Sequence, residues 1–309
     1  MKVKVLVDNN TFIDCYYCGE PAVSYYIEEN DIRLFFDVGY SDLFLKNANS
    51  MDLSPDQVDY IVISHGHDDH TGGLKPYFNT YPHKTPTILA HPDALKEKRI
   101  DGNKICSPIL LEELNQKSRL LLSKEPISIT DQLIFLGEIP STNSFEQRSV
   151  IGKQVVPKTS PGDKFIDVHG IDGPGIDNLE KKARRIDTLG IDDSKTDALV
   201  VDDLVMDDSA LVYQGKEGIY IITGCSHSGI CNIIEYAKQI CKDSRILGVL
   251  GGFHLFDVND RVYKTIEYFK ENNIQELYPC HCTSFEVKAK IHEHIKITEV
   301  GVGLELNWN

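Results

Sequence analysis

Three histidines and two aspartates crowd into six positions of the run Ser64-His65-Gly66-His67-Asp68-Asp69-His70-Thr71-Gly72-Gly73. Core packing gives no reason to gather so many polar groups at one place. Val58 to Ile63, just ahead of the run, is short, apolar and β-branched, the pattern of a buried strand. Leu74 to Tyr77, just after it, reads as the start of a helix. The cluster therefore sits on a loop leaving a strand end, where α/β folds place their chemistry. Neutral imidazole and carboxylate suit a borderline divalent ion such as zinc. His65 and His67 lie two apart, so their rings can converge on one ion. Asp69 and His70 are adjacent and more naturally serve a second, with Asp68 as a spare carboxylate.

The second half of the chain repeats a theme. Gly218 to Ile222 leads to His227, Ile246 to Leu250 to His254, and Glu276 to Pro279 to His281, each followed by a helical stretch: Cys231 to Cys241, Asp260 to Asn272, and Phe285 to Ile291. Parallel strands would deliver these histidines to one sheet edge. Six of the eleven histidines (His65, His67, His70, His227, His254 and His281) are so placed. Gly251-Gly252 lets the backbone turn tightly before His254. Phe253 and Leu255 should turn inward and leave His254 pointing towards the shared edge. His91, after the strand Thr87 to Ala90, reads as a solvated loop histidine, though its strand-end position keeps it among candidate substrate contacts.

Elsewhere the pattern predicts strands at Val3 to Val7, Val23 to Ile27 and Ile32 to Phe36. Leu43 to Asn49 reads as a helix, and further helices open at Ser54-Pro55 and near Ala94. Leu120 to Leu122, Ile127 to Ile129 and Gln132 to Leu136 suggest a second antiparallel set, and Val300 to Leu306 a closing strand. From about residue 147 to 200 Lys, Asp, Gly and Pro dominate. This reads as a polar surface insertion, a candidate lid, in a single domain spanning 1–309. Cys15-Tyr16-Tyr17-Cys18, with no second pair nearby, reads as two reduced thiols in a loop.

With 47 acidic against 32 basic residues the net charge is -15. That argues against nucleic acid or an anionic membrane as partner. No apolar run approaches the roughly 20 residues that span a bilayer. The N-terminal residues alternate like a strand rather than a secretion signal, so a cytoplasmic protein with reduced cysteines is expected.

The sequence His65-x-His67-x-Asp69-His70 resembles the signature of the metallo-β-lactamase superfamily. The resemblance implies a four-layer αβ/βα sandwich with two mixed β-sheets and a site for two divalent ions, zinc first and manganese or iron as alternatives. It implies His65, His67 and His227 at one ion, and Asp69, His70 and His281 at the other. Asp37 of Asp37-Val38-Gly39 would support the loop. Where the superfamily often has an aspartate bridging both ions, this chain has Gly251-Gly252-Phe253-His254. His254 is expected instead to face substrate as a proton donor, with Asp69 orienting a metal-bound hydroxide. Cys225, Cys280 and Cys282 read as thiols packing the strand ends.

The Ser64–Leu74 run, the Gly137-Glu138-Ile139-Pro140 turn, Thr223-Gly224-Cys225-Ser226-His227, Gly251 to Leu255 and Pro279-Cys280-His281-Cys282-Thr283 are together similar to a dihydropteroate-synthase-like branch. That puts Glu138 with His91 and His254 on the expected substrate side. The activity implied is a metal-dependent hydrolase of a small ester or phosphoester, an anionic or phosphorylated substrate fitting the locally positive metals. The branch also includes an enzyme joining a dihydropterin-methyl group to an aminobenzene ribosyl phosphate, so a pterin-alkyl transferase is the rival. A redox di-iron protein or a non-catalytic metal sensor is a more distant reading.

Overall fold

A computed structural model describes residues 1–157 and 198–309. Two sheets dominate. The first has seven strands, in spatial order Glu305–Asn307, Lys2–Val7, Ser24–Glu29, Ile32–Phe36, Tyr60–Val62, Thr87–Ala90 and Arg119–Leu122. The pairings are antiparallel as far as Ile32–Phe36 and parallel beyond it. The second has six, in order Glu276–Pro279, Ile246–Gly251, Ile219–Thr223, Ala210–Gln214, Leu133–Phe135 and Ile127–Ser128. Its first three strands are mutually parallel and the rest antiparallel.

Three apolar layers stack these sheets. Side chains alternate along a strand, so Val62 faces one way while Ile61 and Ile63 face the other. Val62, Leu89 and Phe36 pack against Leu211, Ile222 and Leu250, which joins the two sheets face to face. On the outer side of the first sheet, Phe35 and Ile61 meet Phe44 and Ala48 of helix Leu43–Ser50 and Tyr77 of helix Leu74–Thr80. Beneath the second, Ile221 and Val249 meet Ile233 and Ile234 of helix Ile230–Cys241 and Phe269 of helix Asp260–Glu271. The result is the expected αβ/βα sandwich. Among the described residues no helix is long and apolar enough to cross a membrane.

Some local expectations need correction. Arg119–Leu122 is a parallel edge of the first sheet, not part of the antiparallel set. Ser54-Pro55 and Ala94 mark only 3-10 turns, Pro55–Gln57 and Pro92–Leu95, because each has too few residues before the next strand to close α-helical turns. The closing strand is Glu305–Asn307 alone; Gly303, at φ +96°, breaks the extended run before it. Helix Leu111–Lys117 had no expectation attached to it.

The insertion departs furthest from its polar reading. Lys153–Pro157 and Ala198–Asp202 pair as an antiparallel hairpin, and Lys153-Gln154 pairs with Lys98-Arg99 in a small third sheet. Val155, Val156, Val200 and Val201 supply the β-branched character, which the surrounding Lys, Asp and Gly obscured. Glu146, at the start of the polar stretch, is buried; its carboxylate accepts from the backbone N–H groups of Cys231 and Asn232, capping helix Ile230–Cys241. Most of the candidate lid, residues 158–197, lies outside the described residues.

Candidate metal centre

The ends of strands from both sheets meet at one edge. His65 and His67 follow strand Tyr60–Val62; His70 lies in the single turn Asp68–Thr71; His227, His254 and His281 follow the three parallel strands of the second sheet. Their rings form a continuous group. Ring centroids are 4.6 Å apart for His65 and His67, 4.7 Å for His65 and His227, and 5.1 Å for His67 and His227. His70 and His281 are 5.2 Å apart, and His65 and His70 4.1 Å. His254 stands 4.2 Å from His227. Asp69 Oδ2 lies 3.5 Å from His70 Nε2 and 3.3 Å from His281 Nε2.

The neighbours of these rings set their orientation. Asp37, fully buried, accepts from the Ser64 backbone N–H at 2.8 Å and from Ser64 Oγ at 2.7 Å. Its Oδ2 is also 2.7 Å from His70 Nδ1, so His70 turns Nε2 towards Asp69 and Cys225. His281 Nδ1 lies 3.2 Å from Asn9 Oδ1, while the His281 backbone N–H donates to Asp8 Oδ1 at 2.9 Å. The backbone is forced as well: Asp37, Ser226, His254 and His281 all have φ between +47° and +59°. Left-handed non-glycine residues cost about 1–3 kcal/mol each and gather at functional sites. Gly252 is needed for closeness, since a Cβ there would lie 2.4 Å from Cys282 Sγ.

The electrostatics suit a cation. Burial and the neighbouring imidazoles hold His65 and His227 well below the ordinary histidine range, and burial with Lys98 takes His67 down to about 4, so all three are neutral, the ligand form. At His70 burial opposes the charge, yet Asp69 and Asp37 outweigh it and push the pKa well up. Asp69 shows the converse: burial would raise it, but His70 and His281 hold it far below the carboxylate range. The pocket therefore favours positive charge beside Asp69. His67 Nε2, His227 Nε2, His281 Nε2 and His254 Nδ1 are buried with no hydrogen-bond partner. Each such atom costs about 1–3 kcal/mol, and unpartnered imidazole nitrogens of this kind are the donors a divalent ion takes. Asp69, His70, Cys225 and His281 offer ligand atoms all within 4.8 Å of one another; His65 shares such groups with His67 and Asp69 and with Cys225 and His227.

His67, Asp69, His227, His254 and His281 line a cavity of about 320 Å³, with His65 and His70 buried behind them. Pro21, Ile151 and Phe256 give it an apolar lip, and His254 faces it while Phe253 and Leu255 are buried beneath. His91 and Glu138 are elsewhere. His91 is buried rather than solvated: Nδ1 accepts from the Asp93 N–H at 3.1 Å, and Nε2 donates to Glu138 Oε2 at 3.1 Å. Both ring nitrogens are thereby occupied, and neither His91 nor Glu138 lines the cavity. Cys280 packs against Tyr25, its Sγ 3.2 Å from the phenol oxygen. Cys225 and Cys282, in contrast, face the cavity.

Sequence reading missed a set of supports. Asp207 Oδ2 accepts from the Gly66 N–H at 2.7 Å, inside the histidine loop, and its Oδ1 is 2.6 Å from Lys98 Nζ. Lys98, fully buried, also reaches Asp203 Oδ2 at 2.9 Å. Asp208 accepts from the Ser228 N–H and hydroxyl at 2.8 and 2.5 Å, next to His227. Adjacent aspartates thus hold two histidine-bearing loops. Only the pairing Asp207-Asp208 just ahead of a strand marked them in the sequence, and it was indistinguishable from the acidic insertion. Asn9, just past strand Lys2–Val7, carries no sequence signal of its contact with His281.

The comparisons agree with this architecture. The sequence profile of the metallo-beta-lactamase superfamily matches residues 19–141. The uncharacterized protein MJ0448 of Methanocaldococcus jannaschii is 30% identical over 297 residues, covering 94% of each chain. The 7,8-dihydropterin-6-methyl-4-(beta-D-ribofuranosyl)-aminobenzene-5'-phosphate synthase of the same organism is 26% identical, covering 96% of this chain and 92% of its own. Among solved structures, Tm1679, described as a metal-dependent hydrolase of the beta-lactamase superfamily, has the same fold with a TM-score of 0.71 at 24% identity, covering 100% of this chain and 99% of its own. The chain belongs to the metallo-beta-lactamase superfamily.

Proposed function

We propose that the protein is a metal-dependent hydrolase with two divalent ions, zinc first, acting on a small anionic ester or phosphoester. The observation that supports the reading is the convergence of two side-chain groups, His65, His67 and His227 beside Asp69, His70 and His281, at one edge of the fold, four of them lining one cavity. Ions bound there would supply a Lewis acid and lower the pKa of bound water to about 7. The chain's residues do the rest. Asp69 Oδ2 stands between His70 and His281, where it can ligate and accept a hydrogen bond from water. His254 offers a buried, unpartnered Nδ1 from which a proton can pass to a leaving-group oxygen. Pro21, Ile151 and Phe256 exclude water around an organic group. The test is metal content of the purified protein with a screen of phosphodiesters, lactones and thioesters. Two ions per chain and metal-dependent hydrolysis of one class support the reading; a metal-free protein, or turnover indifferent to chelation, sinks it.

Similarity over nearly the full chain to a pterin-product synthase favours one rival, an alkyl transfer from a dihydropterin-methyl diphosphate to an aryl amine. Release of pyrophosphate only when the aryl amine is present would select that rival.

A further inference from the structure

Each residue proposed to hold metal is a histidine or an aspartate, yet a cysteine occupies the space between the two sets. Cys225 Sγ lies 3.2 Å from His70 Nε2. It falls within 4.8 Å of the ligand atoms of Asp69, His70 and His281, and equally of those of His65 and His227. The residue is buried, and its sulfur opens onto the cavity floor. Opposite it stand His227 Nε2 and His281 Nε2, both buried and without hydrogen-bond partners.

We propose that Cys225 is a metal ligand, completing the shell of the ion held by Asp69, His70 and His281. Its sulfur lies within reach of both groups, His65 and His227 as well as Asp69, His70 and His281. The inference rests on the metal-site reading above and deepens it.

Spacing supports it. With zinc–nitrogen and zinc–oxygen bonds near 2.0–2.2 Å and a zinc–sulfur bond near 2.3 Å, neighbouring ligand atoms of a tetrahedral ion lie about 3.3–3.6 Å apart. The spacings here are 3.5 Å for Asp69 to His70, 3.3 Å for Asp69 to His281, and 3.2 Å for His70 to Cys225. These three spacings fall at or within 0.1 Å of that range, and all four donors, one carboxylate, two imidazoles and one thiol, lie within 4.8 Å of one another. Cys280 pairs with Tyr25. Cys282, whose Sγ donates to the Cys225 carbonyl at 3.5 Å, groups with Cys225 and His254 but not with Asp69, His70 and His281. On coordination the Cys225 thiol gives its proton to solvent, and the sulfur lone pair forms the bond to the ion.

The loop explains how the sulfur gets there. Ser226 adopts φ +52°, which turns Cys225 and His227 into the same cavity. Ser226 Oγ donates to the Gly252 carbonyl at 2.7 Å, and the Gly252 N–H donates to the Gly224 carbonyl at 2.9 Å, fixing the turn against the neighbouring strand end.

The test replaces the native ions of the full-length protein with cobalt(II). Visible d–d absorption reports cobalt held by any of these ligands; a near-ultraviolet charge-transfer band reports a cobalt–thiolate bond. The wild type should show both. Cys225→Ser, folded by circular dichroism, should keep visible absorption and lose the charge-transfer band, while Cys282→Ser keeps both. A wild type with d–d absorption and no charge-transfer band would overturn the proposal and leave the two-metal reading standing. So would a band that survives in Cys225→Ser or disappears in Cys282→Ser. Absence of any cobalt absorption would overturn the two-metal reading, and this inference with it.

Discussion

Asp37 contributes to the site without reaching the cavity. One carboxylate holds the Ser64 backbone, the Ser64 hydroxyl and His70 Nδ1, so it fixes both the loop path and the ring that offers Nε2. Partners of this kind are typically worth 10–100-fold in metal affinity. Asp37→Asn should therefore bind zinc about 10–100-fold more weakly in a competition titration; unchanged affinity would show that Ser64 suffices. His254 makes a different prediction. On the proposed reading three other ligands serve each ion, so His254→Ala should keep its metal content and lose about 10²–10⁴ in turnover, the usual worth of general acid–base help. Loss of one metal with no separate effect on turnover would make it a ligand instead. Glu138 belongs to stability. Its hydrogen bond from His91, with Lys124 adding to it against burial, takes the carboxyl from 4.5 down to about 2. A depressed folded pKa stabilises above the unfolded value and is lost as pH falls through the folded one. The stability gap between wild type and Glu138→Gln should then be steady above pH 4.5 and close towards pH 2. Because the side chain is about a third exposed, that gap should be about 1 kcal/mol. A gap that does not change with pH in urea titrations would refute the assignment.

At the scale of elements, the insertion and the histidine loop are fastened together. The hairpin Lys153–Pro157 and Ala198–Asp202 pairs onto Lys98–Ile100, and Lys98 ties Asp203 to Asp207, which holds Gly66. Lys98→Met would leave two buried carboxylates without their cation. Breaking a buried pair in this way costs about 3–5 kcal/mol, so the urea midpoint should fall accordingly, and the double variant Lys98→Met with Asp207→Asn should recover part of the loss. A Lys98→Met protein as stable as wild type would mean the pair carries no net stabilisation. These elements also mark where sequence was informative. Ile61-Val62-Ile63 and Ile219 to Thr223 are apolar on both faces, as central strands between two packed layers must be, so their period and ends were readable. Lys98, Asp203 and Asp207 were not. Their meaning comes from pairing across more than a hundred residues, and in sequence each is one charge among many. His91 misled for a related reason: it shares a strand-end position with the clustered histidines, but its loop turns back to Asp93 and Glu138.

For the whole molecule, the fold brings two half-sites together. The first sheet supplies His65, His67, Asp69 and His70; the second supplies His227, His254 and His281; and Tyr25, Phe36 and Val62 pack against Leu211, Ile222 and Leu250 between them. A metal bound across both halves stabilises the folded state by mass action. Chelation should lower the thermal midpoint, and zinc should restore it; a midpoint indifferent to both would separate the site from the fold. The most direct measurement is anomalous scattering at the zinc edge from crystals of the zinc-loaded protein. The expected result is two peaks, one among His65, His67 and His227, the other among Asp69, His70, Cys225 and His281. No peak at that edge, or peaks only at surface residues away from the cavity, would contradict the account.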